Sequence, residues 1–238
     1  VNRIASPRDI LLFDTGQGGV LASAVDSCGG VGSLPADSLS VDPVLVGEMT
    51  ARVALLEALS VGALPVFASI AISSGPDTAK SLLAGVKKTL GRALPLNIST
   101  EKNMPARMTA LGVTVTGLCK KEDLLTGRAQ NGDILYCAGL PRVGAETLKP
   151  DAVLFEQKHI TALLADPLVH SLLPVGSAGI AAESKILAAE SGLSCALYKN
   201  PPIDIDKSAG PATCAIFAAA GPLRPSIGLP VFEIGVLA

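Results

Sequence analysis

Residues 24–65 read AVDSCGGVGSLPADSLSVDPVLVGEMTARVALLEALSVGALP, and the order of acids, glycines and apolar residues in this block decides the fold class. An apolar run at residues 20–25 delivers Asp26 into the turn Gly29-Gly30-Val31-Gly32. Asp37 and Asp42 follow, then a helix-like segment that carries Glu57 and stops at Gly62-Ala63. A carboxylate at a strand end beside glycines suits a divalent metal and a phosphate. Hard ions take oxygen ligands, and glycine lets backbone N–H groups approach phosphate oxygens. The same pattern also describes an ordinary strand, turn and amphipathic helix with acids at the loop ends.

The chain around this block has 238 residues, enough for one large domain or two modest ones with a substantial core. Apolar residues make up 49% of it, aromatics only 3%, and Trp is absent. The core is therefore built from Ala, Val, Leu and Ile, which suits helices packed closely on sheets. A net charge of −2 gives no electrostatic attraction to nucleic acid or to an anionic membrane, and neither is expected as a partner. No apolar run reaches the length of a membrane span. His159 and His170 lack a zinc-site spacing. Cys28, Cys119, Cys137, Cys195 and Cys214 are scattered without a CxxC pair; with no recognisable leader, this predicts a reduced, cytoplasmic protein. Cys28 has two readings, a reactive thiol beside a phosphate site or a small residue filling a turn.

Strand and helix patterns alternate along the chain. Strands are expected at residues 9–13 and 20–25, joined by a hairpin turn through Thr15-Gly16-Gln17-Gly18-Gly19. No GK[ST] follows that turn to favour a phosphate loop. Val46, Met49, Val53, Leu56 and Leu59 fall near one face of a helix over residues 46–61, ended by Gly62. A strand at 64–72, a helix at 78–90 and a strand at 111–119 follow. Beyond Gln130-Asn131-Gly132-Asp133 come strands at 134–138, 194–198, 213–219 and 232–236. A helix over 178–192 opens at Gly176-Ser177-Ala178-Gly179, where a helix N-terminus with glycines suits an anion. The best division lies near residues 128–132, giving a mixed α/β or α+β fold in two halves.

These residues carry a resemblance. Asp26, Asp42-Pro43, Gly47, Glu57 and Gly62-Ala63-x-Pro65 resemble the ATP-binding half of the aminoimidazole ribonucleotide (AIR) synthetase, or PurM-like, superfamily. Ser99-Thr100-Glu101-x-Asn103 followed by LGVTVTG resembles that superfamily's second acidic loop, and NGDILYCAGLPRVG the start of its C-terminal domain. Arg8-Asp9, Asp26 to Gly32, Ser99 to Asn103 and Ser208 to Cys214 are most similar to the α-ribazole kinases within it.

The resemblance implies an α+β fold. An N-terminal ATP-binding domain (residues 1–128) would pair with a second copy in a dimer barrel, and a smaller C-terminal domain would span residues 129–238. It implies ATP held through Mg2+ and carboxylates instead of a Walker loop, with Asp26, Glu57, Glu101 and Asp37 as metal ligands. Nucleotide contacts would come from Asp26, Gly29, Gly30, Asp42, Gly176 and Gly179, and catalytic roles from Glu101 and Asn103. The implied reaction is phosphorylation of a riboside, α-ribazole, in cobalamin lower-ligand salvage; a nucleotide-binding protein without turnover is the alternative.

Three departures bear on this reading. The Asn-x-x-Asp of many members is replaced by an apolar residue and Glu57. An acid common before the glycine cluster is replaced by Leu172-Leu173-Pro174. Neither a reactive N-terminal Cys loop nor a terminal Cys is present, which disfavours selenophosphate synthesis and the hydrogenase-maturation role.

Overall fold

The computed structural model describes residues 1–223 and 225–238, and the chain divides into two compact units. The first comprises Val1–Ile4, Asp9–Ala58 and Ala63–Glu122. Its elements are β1 (Asn2–Ile4), β2 (Ile10–Asp14), β3 (Gly19–Gly29), β4 (Val31–Gly32), β5 (Leu39–Ser40), α1 (Pro43–Ser60), β6 (Leu64–Ile72), α2 (Pro76–Leu90), β7 (Leu96–Thr100) and β8 (Ala110–Lys120). Six strands form one sheet in the order β1-β2-β3-β8-β6-β7, antiparallel except for the β6–β7 pair. Alternation puts Ile10, Leu12, Val20, Ala22, Ala24, Ile70, Val113 and Val115 on a buried face, as period-2 patterning requires. Buried Ala51, Ala54 and Leu55 of α1 and Ala79, Leu82 and Val86 of α2 complete this core.

Two glycines set how closely the helices approach. A Cβ on Gly47 would lie 2.0 Å from the Leu82 carbonyl oxygen, and one on Gly85 would lie 1.9 Å from that of Val44. The α1 and α2 backbones therefore touch where any larger side chain would hold them apart. Lys88 Nζ bonds Glu48 across the same crossing at 2.7 Å, and the Thr89 hydroxyl donates to the Glu48 carbonyl at 3.2 Å.

The sheet's other face is apolar and open. Register aligns Phe13, Leu21, Leu118 and Leu64 in one row across β2, β3, β8 and β6, and Leu64 is 70% and Leu118 43% exposed. Val25 and Phe67 are also exposed.

The second unit comprises Ala5–Arg8, Leu59–Gly62 and Asp123–Ala238. It contains β9 (Ile134–Gly139), α3 (Gln157–Leu164), β10 (Val169–Pro174), α4 (Ile180–Glu190), β11 (Cys195–Leu197), β12 (Cys214–Ala219) and β13 (Val231–Leu237). Its antiparallel sheet runs β10-β12-β9-β13-β11. Leu135, Cys137, Leu173, Ile180, Leu187, Ile216 and Ile234 pack in its core. Arg8 is buried here and grips the Glu190 carboxylate with two bonds of 2.6 and 2.7 Å. It also donates to the Leu172 carbonyl at 2.8 Å and to the Ser60 hydroxyl at 3.1 Å. A fork-shaped guanidinium is suited to that set of acceptors.

Most expected elements are present, with ends shifted by up to four residues. The α4 start shifts most informatively: Gly179 at φ +84° cannot continue a right-handed helix, so the helix begins at Ile180 and not at Ala178. The α1 start moves forward to Pro43, whose missing N–H costs nothing at a first helical position. The sequence reading omitted β1, β4, β5, β7, α3 and β10.

Replacing Gly47 or Gly85 by Ala forces the α1–α2 crossing apart. Each substitution should cost on the order of 1–3 kcal/mol, a fall in Tm of about 2–12 °C, read by calorimetric melting.

Candidate active site

Strand register gathers the candidate loops of the first unit at one end of its sheet. Cys28 of β3 lies opposite Leu111 of β8, Leu111 opposite Ile72 of β6, and Ile72 opposite Thr100 of β7. The Gly29–Gly30 turn and Glu101 therefore leave the sheet at the same end. Between β3 and β7 lie three strand spacings, about 14 Å, so one ion cannot bridge Asp26 and Glu101 directly. Among the described residues no three His, Cys, Asp or Glu side chains gather closely enough to hold a metal ion.

Asp26 sits on the buried face of β3 in line with Ala22 and Ala24, half-buried. Burial pushes its carboxyl up to about 6, against the smaller opposing pull of the Ser27 N–H and of Arg52. Arg52 and Thr50, both buried on α1, were not anticipated from the sequence; their spacing looks like ordinary helix interior. Thr50 hydrogen-bonds Cys28, whose thiol is pushed up first by burial and then by Asp26 and Asp37. A thiol held protonated is a poor nucleophile, so the turn-filling reading of Cys28 is the one the geometry supports.

Asp37 holds the glycine loop in place. Its Oδ1 accepts the Thr109 N–H at 2.7 Å, and its Oδ2 accepts the Thr109 hydroxyl and the Leu34 N–H, each at 2.8 Å. Burial raises this carboxyl, but those three donors more than offset it and leave it below the usual range. Gly30, at φ +72°, donates its N–H to the Thr109 carbonyl at 2.9 Å. A Cβ on Gly32 would strike the Thr109 hydroxyl at 2.2 Å. Both Asp37 oxygens are thus committed to the loop.

The other expected residues are placed individually. Gly29 ends β3 and is exposed. Asp42 caps α1, its Oδ1 accepting the Val44 N–H at 2.9 Å. Glu57 is half-buried on α1. Glu101 Oε1 accepts the N–H groups of Asn103 (2.5 Å) and Met104 (3.2 Å), and these bonds hold its carboxyl below the ordinary value. Asn103 is exposed.

In the second unit Gly176 and Gly179 lead into α4. The Gly176 carbonyl accepts the Ala209 N–H at 3.1 Å, and the Ala181 N–H is taken by the Ile205 carbonyl at 2.9 Å. One amide of the helix start is thereby satisfied within the protein. Lys207 bonds Glu146, and His170 is tied to the buried Asp133 at 2.8 Å.

Magnesium binds through one or two carboxylates, with phosphate and water oxygens completing an octahedron. Asp26 fits that demand, because its burial is poorly offset within the protein and an added cation would offset it. Glu101, held below the ordinary carboxylate value by its loop N–H bonds, is ionised and offers a carboxylate to such an ion. Asp37 is occupied.

No family model and no curated protein sequence matches the chain. Solved structures do. A thiamine-monophosphate kinase from Stenotrophomonas maltophilia K279a superposes at TM-score 0.66 and 18% identity, covering 100% of this chain and 89% of its own. AaThiL complexed with AMPPCP and TMP gives 0.65 at 18%, covering 96% and 84%. T. maritima PurL complexed with AMPPCP gives 0.61 at 17%, where 96% of this chain spans 37% of that one. The chain therefore has an α+β, PurM-like fold. Among the described residues no helix is long and apolar enough to cross a membrane.

A carboxyl whose folded pKa is raised binds its proton more tightly in the fold. Its stabilising effect is present below the ordinary 3.8 and is lost as pH rises through about 6. The melting temperature of the ligand-free protein should fall across that window, and Asp26→Asn should flatten the fall. Melts collected at intervals between those two pH values check this.

Proposed function

We propose that the protein is an ATP- and Mg2+-dependent kinase that phosphorylates a riboside, α-ribazole to α-ribazole 5′-phosphate. The observation that carries the reading is the half-buried, poorly compensated Asp26 beside a pinned glycine turn, in a fold shared with thiamine-monophosphate kinases. Residues 1–128 serve as the nucleotide-binding domain and residues 129–238 as the acceptor domain.

Asp26, with Glu57 on α1, and Glu101 from three strands away would each offer a carboxylate to a separate magnesium ion on the triphosphate, while Asp37 keeps the glycine turn in shape. When bound, magnesium neutralises charge on the phosphates. The Gly30 N–H is given to Thr109, so the phosphate oxygens would approach the exposed backbone at Gly29, where no side chain stands in the way. Asp42 acts from the start of α1, and Gly176 and Gly179 contribute from the acceptor domain. The transition state of phosphoryl transfer is loose, so positioning and charge neutralisation carry most of the rate. Glu101, ionised at neutral pH, accepts the proton leaving the acceptor hydroxyl, and Asn103 orients the acceptor. The alternative, a nucleotide-binding protein without turnover, keeps the same phosphate contacts and lacks acceptor-dependent chemistry. The reaction places the protein in the cytoplasm, in cobalamin salvage.

The open sheet face supports a homodimer. Exposed Leu64, Phe67, Leu118 and Val25 on one sheet face are the kind of surface that a protein covers, and a second copy would meet it by two-fold symmetry. Sedimentation at micromolar concentration should give twice the 24.0 kDa chain mass, and Leu64→Lys with Leu118→Lys should give monomers. A wild-type monomer in the presence of Mg-ATP contradicts the pairing.

For the reaction itself, ADP release measured over a riboside panel should depend on both acceptor and magnesium. Asp26→Asn should weaken Mg-ATP binding by roughly tenfold or more, the size of a lost charge-assisted contact. Binding of Mg-ATP without acceptor-dependent ADP selects the non-catalytic alternative.

A further inference from the structure

The first unit carries a groove of about 940 Å3 that contains none of the candidate-site residues. Lys87, Lys88 and Arg92 line it from the end of α2, and Leu94, Leu96 and Ile98 line it from β7 and the segment before it. We propose that this groove is a binding site for a free amphipathic anion, a medium-chain aliphatic carboxylate. The proposal does not depend on the kinase reading above.

The groove exists because the helices do not cover the whole sheet. Six strands span about 24 Å, more than two helices of about 10 Å each can cover. The shortfall falls at β7, the edge strand beside β6. Parallel register sets Leu96 beside Ala68 and Ile98 beside Ile70, both buried, so Leu96 and Ile98 belong to the helix-covered face. α2 turns Ala79, Leu82 and Val86 into the core, and Gly47 and Gly85 let it move in against α1. Ile98 is left 40% exposed.

The charges decide what fills the space. Lys88 is tied to Glu48 at 2.7 Å. Lys87 and Arg92 form no ion pair among the described residues, and no Asp or Glu lines the groove. Basic residues in a last helical turn offset the helix dipole, which accounts for Lys87 and Lys88. Arg92 stands beyond Gly91 and the helix end, so the dipole does not require it. A carboxylate at Lys87 and Arg92 gains charge-assisted hydrogen bonds. The other lining side chains are aliphatic; they offer no aromatic ring for a base to stack on and no hydroxyl or amide to orient a polar ligand. From Leu94 to Ile98 the chain extends about 13 Å, the reach of an alkyl chain of about ten carbons. Thr100, at the candidate-site end of β7, lies a further four residues, about 13 Å, beyond Leu96.

The experiment is direct binding by calorimetry and saturation-transfer NMR, with decanoate, hexanoate and decanol as probes below their micellar concentrations. The proteins are wild type, Lys87→Ala with Arg92→Ala, and Ile98→Asp. All three positions are exposed, so melting temperatures should stay near the wild-type value. The wild type should bind decanoate about tenfold or more tightly than hexanoate, because each buried methylene adds affinity. It should prefer decanoate to decanol by about tenfold or more, the scale of hydrogen bonds to a charged group. The double substitution should abolish that second preference and leave decanol binding unchanged, while Ile98→Asp should weaken both. Excess Mg-ATP should not displace decanoate. Undiminished decanoate binding in the variants, no gain from chain length, displacement by Mg-ATP, or no binding by the folded wild type each overturns the proposal. So does binding to phosphatidylserine vesicles without binding of free decanoate, which would make the groove a membrane contact.

Discussion

Gly47 and Gly85 let α1 and α2 meet backbone to backbone, with carbonyl oxygens standing about where a larger residue's Cβ would be. That closeness governs the rest of the first unit. A core of Ala, Val, Leu and Ile, with almost no aromatic residues to fill gaps, packs densely only if its layers approach closely. The Lys88–Glu48 and Thr89–Glu48 bonds fix the helices' register at the crossing. The register in turn presents Thr50 and Arg52 toward the end of β3, where Cys28 and Asp26 interact with them.

Electrostatics at that sheet end follow from two carboxylates with opposite circumstances. Asp37 is surrounded by donors and stays ionised, so it serves as a fixed brace on the glycine turn. Asp26 has burial with only the Ser27 N–H and Arg52 set against it, which raises its carboxyl to about 6. The shared strand register brings the Glu101 loop to the same end of the sheet.

Much of this was legible in the residues. The β6 boundaries were read correctly because Gly62 and Ser73-Ser74-Gly75 punctuate a β-branched run, and Asp26 stood out as a carboxylate entering glycines. The fold followed from the resemblance, and the solved structures share it. Other features were hidden for physical reasons. β7 is a short, polar edge strand whose partner lies on β6, and LNIST has no pattern of its own. α3 is two turns long, below the length at which periodicity is distinctive. The role of Thr109 as Asp37's partner depends on a contact 72 residues away in sequence, and nothing local announces it. Arg8 looked like a motif residue, and the structure makes it the anchor of a buried ion pair with Glu190. Lys207 meets Glu146 across 61 residues of sequence, so that pair was likewise invisible in the chain.

The first unit holds the carboxylates and the braced glycine turn on which the proposed nucleotide chemistry rests. The measurement that tests this most directly is mass spectrometry of the product formed from α-ribazole, ATP and Mg2+ by the purified protein, with Asp26→Asn alongside. The account predicts a singly phosphorylated riboside carrying the phosphate on its 5′ oxygen, with its yield strongly reduced in the variant. Unmodified α-ribazole, under conditions where calorimetry shows Mg-ATP bound, would contradict it.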